Sequence, residues 1–105
     1  MQIRRIDAAE TRPLRWTVLR PEMAGPDAVV LDGDDDPAGA HFGAFVADEL
    51  VGVGSVFPQP HPDRPAPGDW RLRGMAVADG RRSLGVGKAV LEACLAFAAA
   101  GGASR

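Results

Sequence analysis

The sequence of 105 residues contains no tyrosine, a single cysteine and few aromatic residues. One thiol excludes an intrachain disulfide. That thiol, Cys94, lies among apolar residues of a helical pattern and reads as a small buried side chain rather than a nucleophile. No apolar run approaches the ~20 residues of a membrane span. The N-terminus lacks the apolar h-region of a signal peptide, which makes the cytoplasm the expected location. An excess of one charge is also missing. Twelve Lys and Arg stand against fourteen Asp and Glu, a net charge of −2. General attraction to nucleic acid or to a membrane surface is therefore not expected. There are no internal repeats. The length fits one domain with one modest core.

What is present is glycine, alanine, arginine and aspartate, in an order that can be parsed. Residues 2–6 predict a short strand. Asp7-Ala8-Ala9-Glu10 has capping-box spacing, but Pro13 follows closely. The expected helix therefore starts near Thr11, with Pro13 in its first turn. Leu14 and Val18 share one face, and Pro21 and Gly25-Pro26 stop the helix. Residues 32–37, DGDDDP, lack the closing glutamate of an EF-hand and read as a solvated acidic loop. Apolar runs at 40–47 and 50–57, separated by Asp48-Glu49, predict a β-hairpin with Phe42, Ala44 and Val46 on one face. Gly52 and Gly54 predict a bulge or a close backbone approach. Residues 57–68, FPQPHPDRPAPG, read as an irregular loop that cannot join a central sheet. Residues 70–78 predict a strand and 80–84 a turn. Residues 85–100 predict a helix with Val86, Val90, Ala93, Cys94 and Phe97 along one stripe. Gly101-Gly102 ends it. The order is β-α-β-β-β-α, an α/β (α+β) class with a mostly antiparallel sheet flanked by helices.

The most informative stretch begins at Arg73 and reads RGMAVADGRRSLGVGKAVLEAC. Arg82-Ser83-Leu84-Gly85-Val86-Gly87 has the form R-x-x-G-x-G, set between an apolar strand and an amphipathic helix. Such a turn offers backbone N–H groups, the positive end of a helix dipole and cationic side chains to one anion, as a pyrophosphate requires. Arg71, Arg73, Arg81, Arg82 and Lys88 fall in this one stretch, opposed only by Asp69 and Asp79. The cluster is expected to surround the glycine turn. Other phosphate loops fit poorly. In the P-loop register the first glycine would fall on Arg82, and Ala89 replaces the hydroxyl. A Rossmann turn would need glycine or alanine where Val90 stands. A kinase glycine loop lies between strands, not at a helix start.

Strand, R-x-x-G-x-G and helix together resemble motif A of the GNAT N-acetyltransferase superfamily. Leu72-Arg73-Gly74-Met75-Ala76-Val77 looks like that family's fourth strand, and residues 86–97 look like its third helix. The resemblance covers nearly the whole chain, with motif A its specific part. It implies acetyl-CoA as cosubstrate, no metal, and an amine acceptor. By analogy, the backbone of Met75, Ala76 and Val77 pairs with the pantetheine arm. Arg82, Ser83, Leu84, Gly85, Val86 and Gly87 hold the pyrophosphate, with Lys88 close by. Val77 lies near the N–H that would stabilise the thioester oxygen. His41 and Asp69 are the candidates for the general base. The loop 57–68 is expected to border the acceptor site.

Two departures from the pattern follow. The family continues with a fifth strand, a fourth helix and a final hairpin beyond the point reached at Arg105, so the chain is expected to lack one wall of the site. Many members use a tyrosine acid, and this sequence has none. Acetyl transfer by the 105-residue chain alone is not expected, and a non-catalytic CoA-binding or assembly domain is the alternative. An unpaired fourth strand also leads to the expectation of a homodimer, with that strand's edge or the helix 85–100 near the axis.

Overall fold

The computed structural model describes residues 1–30, 34–59, 69–78, 80 and 85–101. Four strands form one antiparallel sheet in the order β1-β2-β3-β4: β1 Gln2–Ile6, β2 Ala40–Val46, β3 Glu49–Pro58 and β4 Trp70–Val77. Helix α1, Ala8–Leu14, covers one face and helix α2, Val86–Ala100, the other.

Helix α1 starts earlier than the proline suggested. Asp7 is its N-cap. The Asp7 N–H donates to the Glu10 carboxylate at 3.1 Å, so the capping-box spacing is used. Pro13 therefore sits inside the helix, where its missing N–H and its ring disturb the ladder. The chain does not stop there. It continues as a π-helical turn, Arg15–Leu19, closed by the Arg20 N–H on the Arg15 carbonyl at 3.1 Å. Thr11 and Arg15, one turn apart, face the sheet and are fully buried.

The β2–β3 hairpin turns at Ala47 and Asp48, one residue earlier than expected, with φ of 51° and 65°. Two successive left-handed residues match the twist of the flanking strands, the geometry favoured for a two-residue hairpin loop. Phe42, Ala44 and Val46 face α2, as expected. Gly52 and Gly54 are where that helix approaches the sheet. A Cβ on Gly52 would lie 2.5 Å from Val86 Cγ1, and one on Gly54 2.7 Å from Val90 Cγ1. The ladder also skips a residue here. Leu50 pairs with Phe45 but Gly52 with Ala44, so Val51 is extra and is driven into the α2 core. Strand β3 runs through Phe57 to Pro58, so the first two residues assigned to the irregular loop belong to the sheet. The remainder of that loop, from residue 60, lies outside the described residues.

Val86, Val90, Cys94 and Ala98 form the buried stripe of α2, with Phe97 at its margin against Phe42 and Trp70. Ala93 is only half-buried and Ala98 takes its place. The second core, under α1, is Ile6, Val53 and Ala76 with Leu14, Val18, Phe45 and Leu50.

Candidate active site

Strand β4 is the margin of the sheet, and among the described residues its outer edge pairs with no other strand. Its ladder with β3 is interrupted once. Val53 pairs with Ala76, but Ser55 pairs with Arg73, so Gly74 and Met75 together oppose one residue. Gly74 carries the bulge with a φ of 64°, a conformation that glycine adopts without strain. Beyond the bulge, the Ala78 N–H donates to the Val51 carbonyl at 2.8 Å. Antiparallel pairs alternate between bonded and unbonded. Ala76 therefore turns its N–H and C=O toward β3, and Val77 turns its own toward the free edge.

Helix α2 opens next to this edge. Gly85 is its N-cap, in the left-handed region at φ 74°, and no side chain caps the helix. The Ala89 N–H donates to the Gly85 carbonyl at 3.1 Å. Helix geometry leaves the N–H groups of Val86, Gly87 and Lys88 without a carbonyl inside the helix. The two glycines differ in what holds them in place. Gly85 is required by its backbone angle. At Gly87 a Cβ would make only ordinary contact, 3.6 Å from Val77 Cγ2. The protein's own packing does not call for glycine at 87, where it costs about 0.5–1 kcal/mol relative to alanine. Lys88 is exposed and lies 4.0 Å from Glu92, a surface pair of little energetic weight. Arg82, Ser83 and Leu84 lie outside the described residues, so the described part of the turn is Gly80 and Gly85.

Of the basic cluster, Arg81 and Arg82 lie outside the described residues. Arg71 and Arg73 do not surround the glycine turn. They precede the bulge, and Arg71 is six residues from Val77, about 20 Å at ~3.3 Å per residue. Linear proximity hid this, because an extended strand separates charges that a helix would keep together.

His41 and Asp69 are not brought together either. The ladder sets His41 level with Ser55 and Arg73. Asp69 precedes Arg73 by four residues, about 13 Å along the strand. Asp69 is buried at the mouth of β4, and its backbone carbonyl accepts the Gln59 N–H at 3.2 Å.

His41 belongs to a buried polar cluster that sequence reasoning missed. Arg15 and Asp34 form a bidentate pair at 2.8 and 2.9 Å, with both side chains at most 1% exposed. Arg15 Nη2 also donates to Ser55 Oγ at 2.8 Å. Ser55 Oγ lies 2.6 Å from His41 Nδ1, and His41 Nε2 lies 3.0 Å from the Asp34 carbonyl. A carbonyl only accepts, so Nε2 carries the proton and Nδ1 receives the Ser55 hydroxyl. The acidic loop is thus not wholly solvated, since Asp34 is among the buried polar residues of the described chain. The one available signal was the alternation of β2, which puts His41 on the face opposite Phe42.

Burial pushes the Cys94 thiol up to about 11, which agrees with its reading as a packed, unreactive side chain. No group of His, Cys, Asp and Glu among the described residues could hold a metal ion. No helix among them is long and apolar enough to cross a membrane.

The chain has counterparts among known proteins. Residues 4–105 match the model of the acetyltransferase (GNAT) family. The chain belongs to the GNAT family. It is 26% identical over 92 residues to the uncharacterized N-acetyltransferase YitI of Bacillus subtilis, an alignment covering 88% of this chain. The chain spans 61% of that relative's length. Among solved structures, it resembles an aminoglycoside 6′-N-acetyltransferase complexed with coenzyme A, with a TM-score of 0.66 at 22% identity. That match covers 98% of this chain and 58% of the other. It also resembles an acetyltransferase of Trypanosoma brucei, with a TM-score of 0.64 at 16% identity, covering 98% and 78%. The GNAT architecture accounts for the antiparallel sheet, the order of its elements and the helices on both faces.

Proposed function

We propose that this chain is the acyl-CoA-binding part of an N-acetyltransferase, taking acetyl-CoA as cosubstrate and an amine as acceptor. The observation that carries the proposal is the pairing of a free β4 edge with the unfilled start of α2. The pantetheine arm lies along Met75, Ala76 and Val77 as an added strand. The pyrophosphate meets the N–H groups at the start of α2, beside Gly85, Val86 and Gly87, with Lys88 as a mobile counter-charge. The glycine at 87, which internal packing does not need, leaves room for the phosphates. Arg82, Ser83 and Leu84 complete the turn in this reading.

The chemistry asks little more of the chain. The acceptor nitrogen attacks the thioester carbon, and an outward-facing N–H of β4 at the bulge, close to Val77, faces the oxygen on which charge develops. The C–S bond then breaks, the nitrogen loses a proton to a base, and the thiolate is protonated to give free CoA. Asp69 and His41 are the two proposed bases. Because they stand well apart along the sheet, only one of them serves a given nitrogen. For His41 to take a proton at Nδ1, Ser55 must first release that atom.

A homodimer is part of the same reading. Since CoA occupies the β4 edge, the exposed face of α2 around Leu95 is the proposed contact. Light scattering at micromolar concentration tests it, and a well-folded monomer would refute it.

Calorimetry tests the main proposal. The wild-type chain should bind CoA, and Gly85→Glu, which sets a carboxylate against the pyrophosphate, should abolish binding. Equal affinity in both would sink the site.

A further inference from the structure

Two guanidinium groups on β4 have no task once the pyrophosphate is assigned to the far end of the strand. Arg73 lies directly opposite Ser55, so its side chain leaves the sheet on the α1 side, where Ser55 meets Arg15 and His41. Arg71, two residues earlier, shares that face, and its Nη1 donates to Gln59 Oε1 at 3.1 Å. Arg73 is half-buried and pairs with no carboxylate among the described residues. Asp34, which packs on this side of the sheet, gives both oxygens to Arg15. A partly desolvated cation without a counter-ion is costly unless an anion reaches it.

The position of Arg73 along the strand says which anion. The residue immediately precedes the Gly74–Met75 bulge. An arm that starts at the α2 N-terminus and runs past Val77 to Met75 brings its thioester to that bulge. An acceptor that meets the thioester there has Arg73 beside it. We infer that Arg73 binds a carboxylate of the acceptor, so that the acceptor is an amine that also carries a carboxylate, such as a free amino acid. The inference rests on the acyl-CoA reading given above.

The role is one of binding and orientation. The acceptor carboxylate is unchanged by the reaction and holds the amine toward the thioester carbon. The guanidinium also disfavours a neighbouring ammonium, which favours the free amine that must attack.

The test measures binding of reaction products to the CoA-loaded protein. A panel of N-acetyl amino acids is compared, each with its own C-terminal amide, for wild type, Arg73→Lys and Arg73→Met. Wild type should bind its preferred acid at least tenfold tighter than the matching amide. Arg73→Lys should keep part of that preference and Arg73→Met none, while CoA affinity stays within about twofold in all three. Wild type that binds CoA but treats acids and amides alike overturns this inference alone. So does an undiminished preference in Arg73→Met. A wild-type chain that does not bind CoA overturns the acyl-CoA reading and this inference with it.

Discussion

The two faces of the sheet both bury apolar side chains, but only one of them also buries charge. Against α2 the contact is dry. Ala44, Val51, Val86, Val90 and Cys94 are fully buried, and glycines at 52 and 54 let the helix backbone come close. Against α1 the sheet buries a guanidinium, a carboxylate, an imidazole and a hydroxyl in one hydrogen-bonded cluster. The dry face fixes where the N-terminus of α2 lies relative to Val77, and so positions the proposed anion site. The polar face fixes where residues 34–37 enter β2. Apolar packing tolerates exchange of similar side chains, whereas the polar cluster is intolerant of losing any single member.

Breaking the polar face should cost most. Asp34→Ala leaves the Arg15 guanidinium buried and uncompensated, and should lower stability by about 3–5 kcal/mol. Arg15→Met combined with Asp34→Leu should recover much of that loss. Urea unfolding of the single and double variants checks both. A double variant no better than the single one would show that the cluster holds the loop in a way that apolar contact cannot.

On the dry face the expected effect is smaller. Gly52→Ala presses a methyl group against Val86, an overpacking that costs about 1–3 kcal/mol. Val86→Ala in the same chain should relieve it, so the double-mutant coupling is favourable. Additive losses in thermal unfolding would contradict the close approach at Gly52.

Cys94 sharpens the comparison through pH. Its folded-state value, about 11, lies above the unfolded value near 9.0. The folded state therefore holds the thiol proton more tightly. The contribution is fully present below pH 9 and is lost as pH rises toward 11. A loss on the order of 1–2 kcal/mol across that window is expected. It should be absent in Cys94→Ala, whose stability is measured by denaturant titration at each pH. A wild-type curve parallel to that of the variant would refute the assignment.

The smallest effect tests function against stability. Gly87→Ala should raise stability by about 0.5–1 kcal/mol, since alanine is the better helix former and meets only Val77. It should weaken CoA binding at the same time. A variant that gains stability and keeps full affinity would remove the reason given for glycine at that position.

The dry face was largely legible in the sequence, because period and spacing carry it. Strand β1 covers residues 2–6, as expected, and the Val86–Val90–Cys94 stripe follows from a 3.6-residue repeat. The close approach at Gly52 and Gly54 was readable from residue type alone. The polar face was not. Arg15, Asp34 and Ser55 lie 19 to 40 residues apart, and nothing local to any of them marks the others. Pro13 misled in a similar way. Its local rule gave a late helix start, but the Asp7–Glu10 cap and the buried Thr11 hold the first turn regardless. The distance of Arg71 from the start of α2 could not be seen until β4 was known to be extended through Val77.

The bulge at Gly74 has a consequence for colloidal behaviour. A marginal strand with open N–H and C=O groups is a template onto which other strands can add, and flat, regular edges are the dangerous ones. At Gly74 and Met75 the rhythm of these groups is broken, and the guanidinium groups of Arg71 and Arg73 immediately precede the break. Two such edges cannot align over their full length without misplacing a hydrogen bond and bringing like charges together. The irregularity at Gly74 thus discourages sheet-by-sheet growth into fibrils.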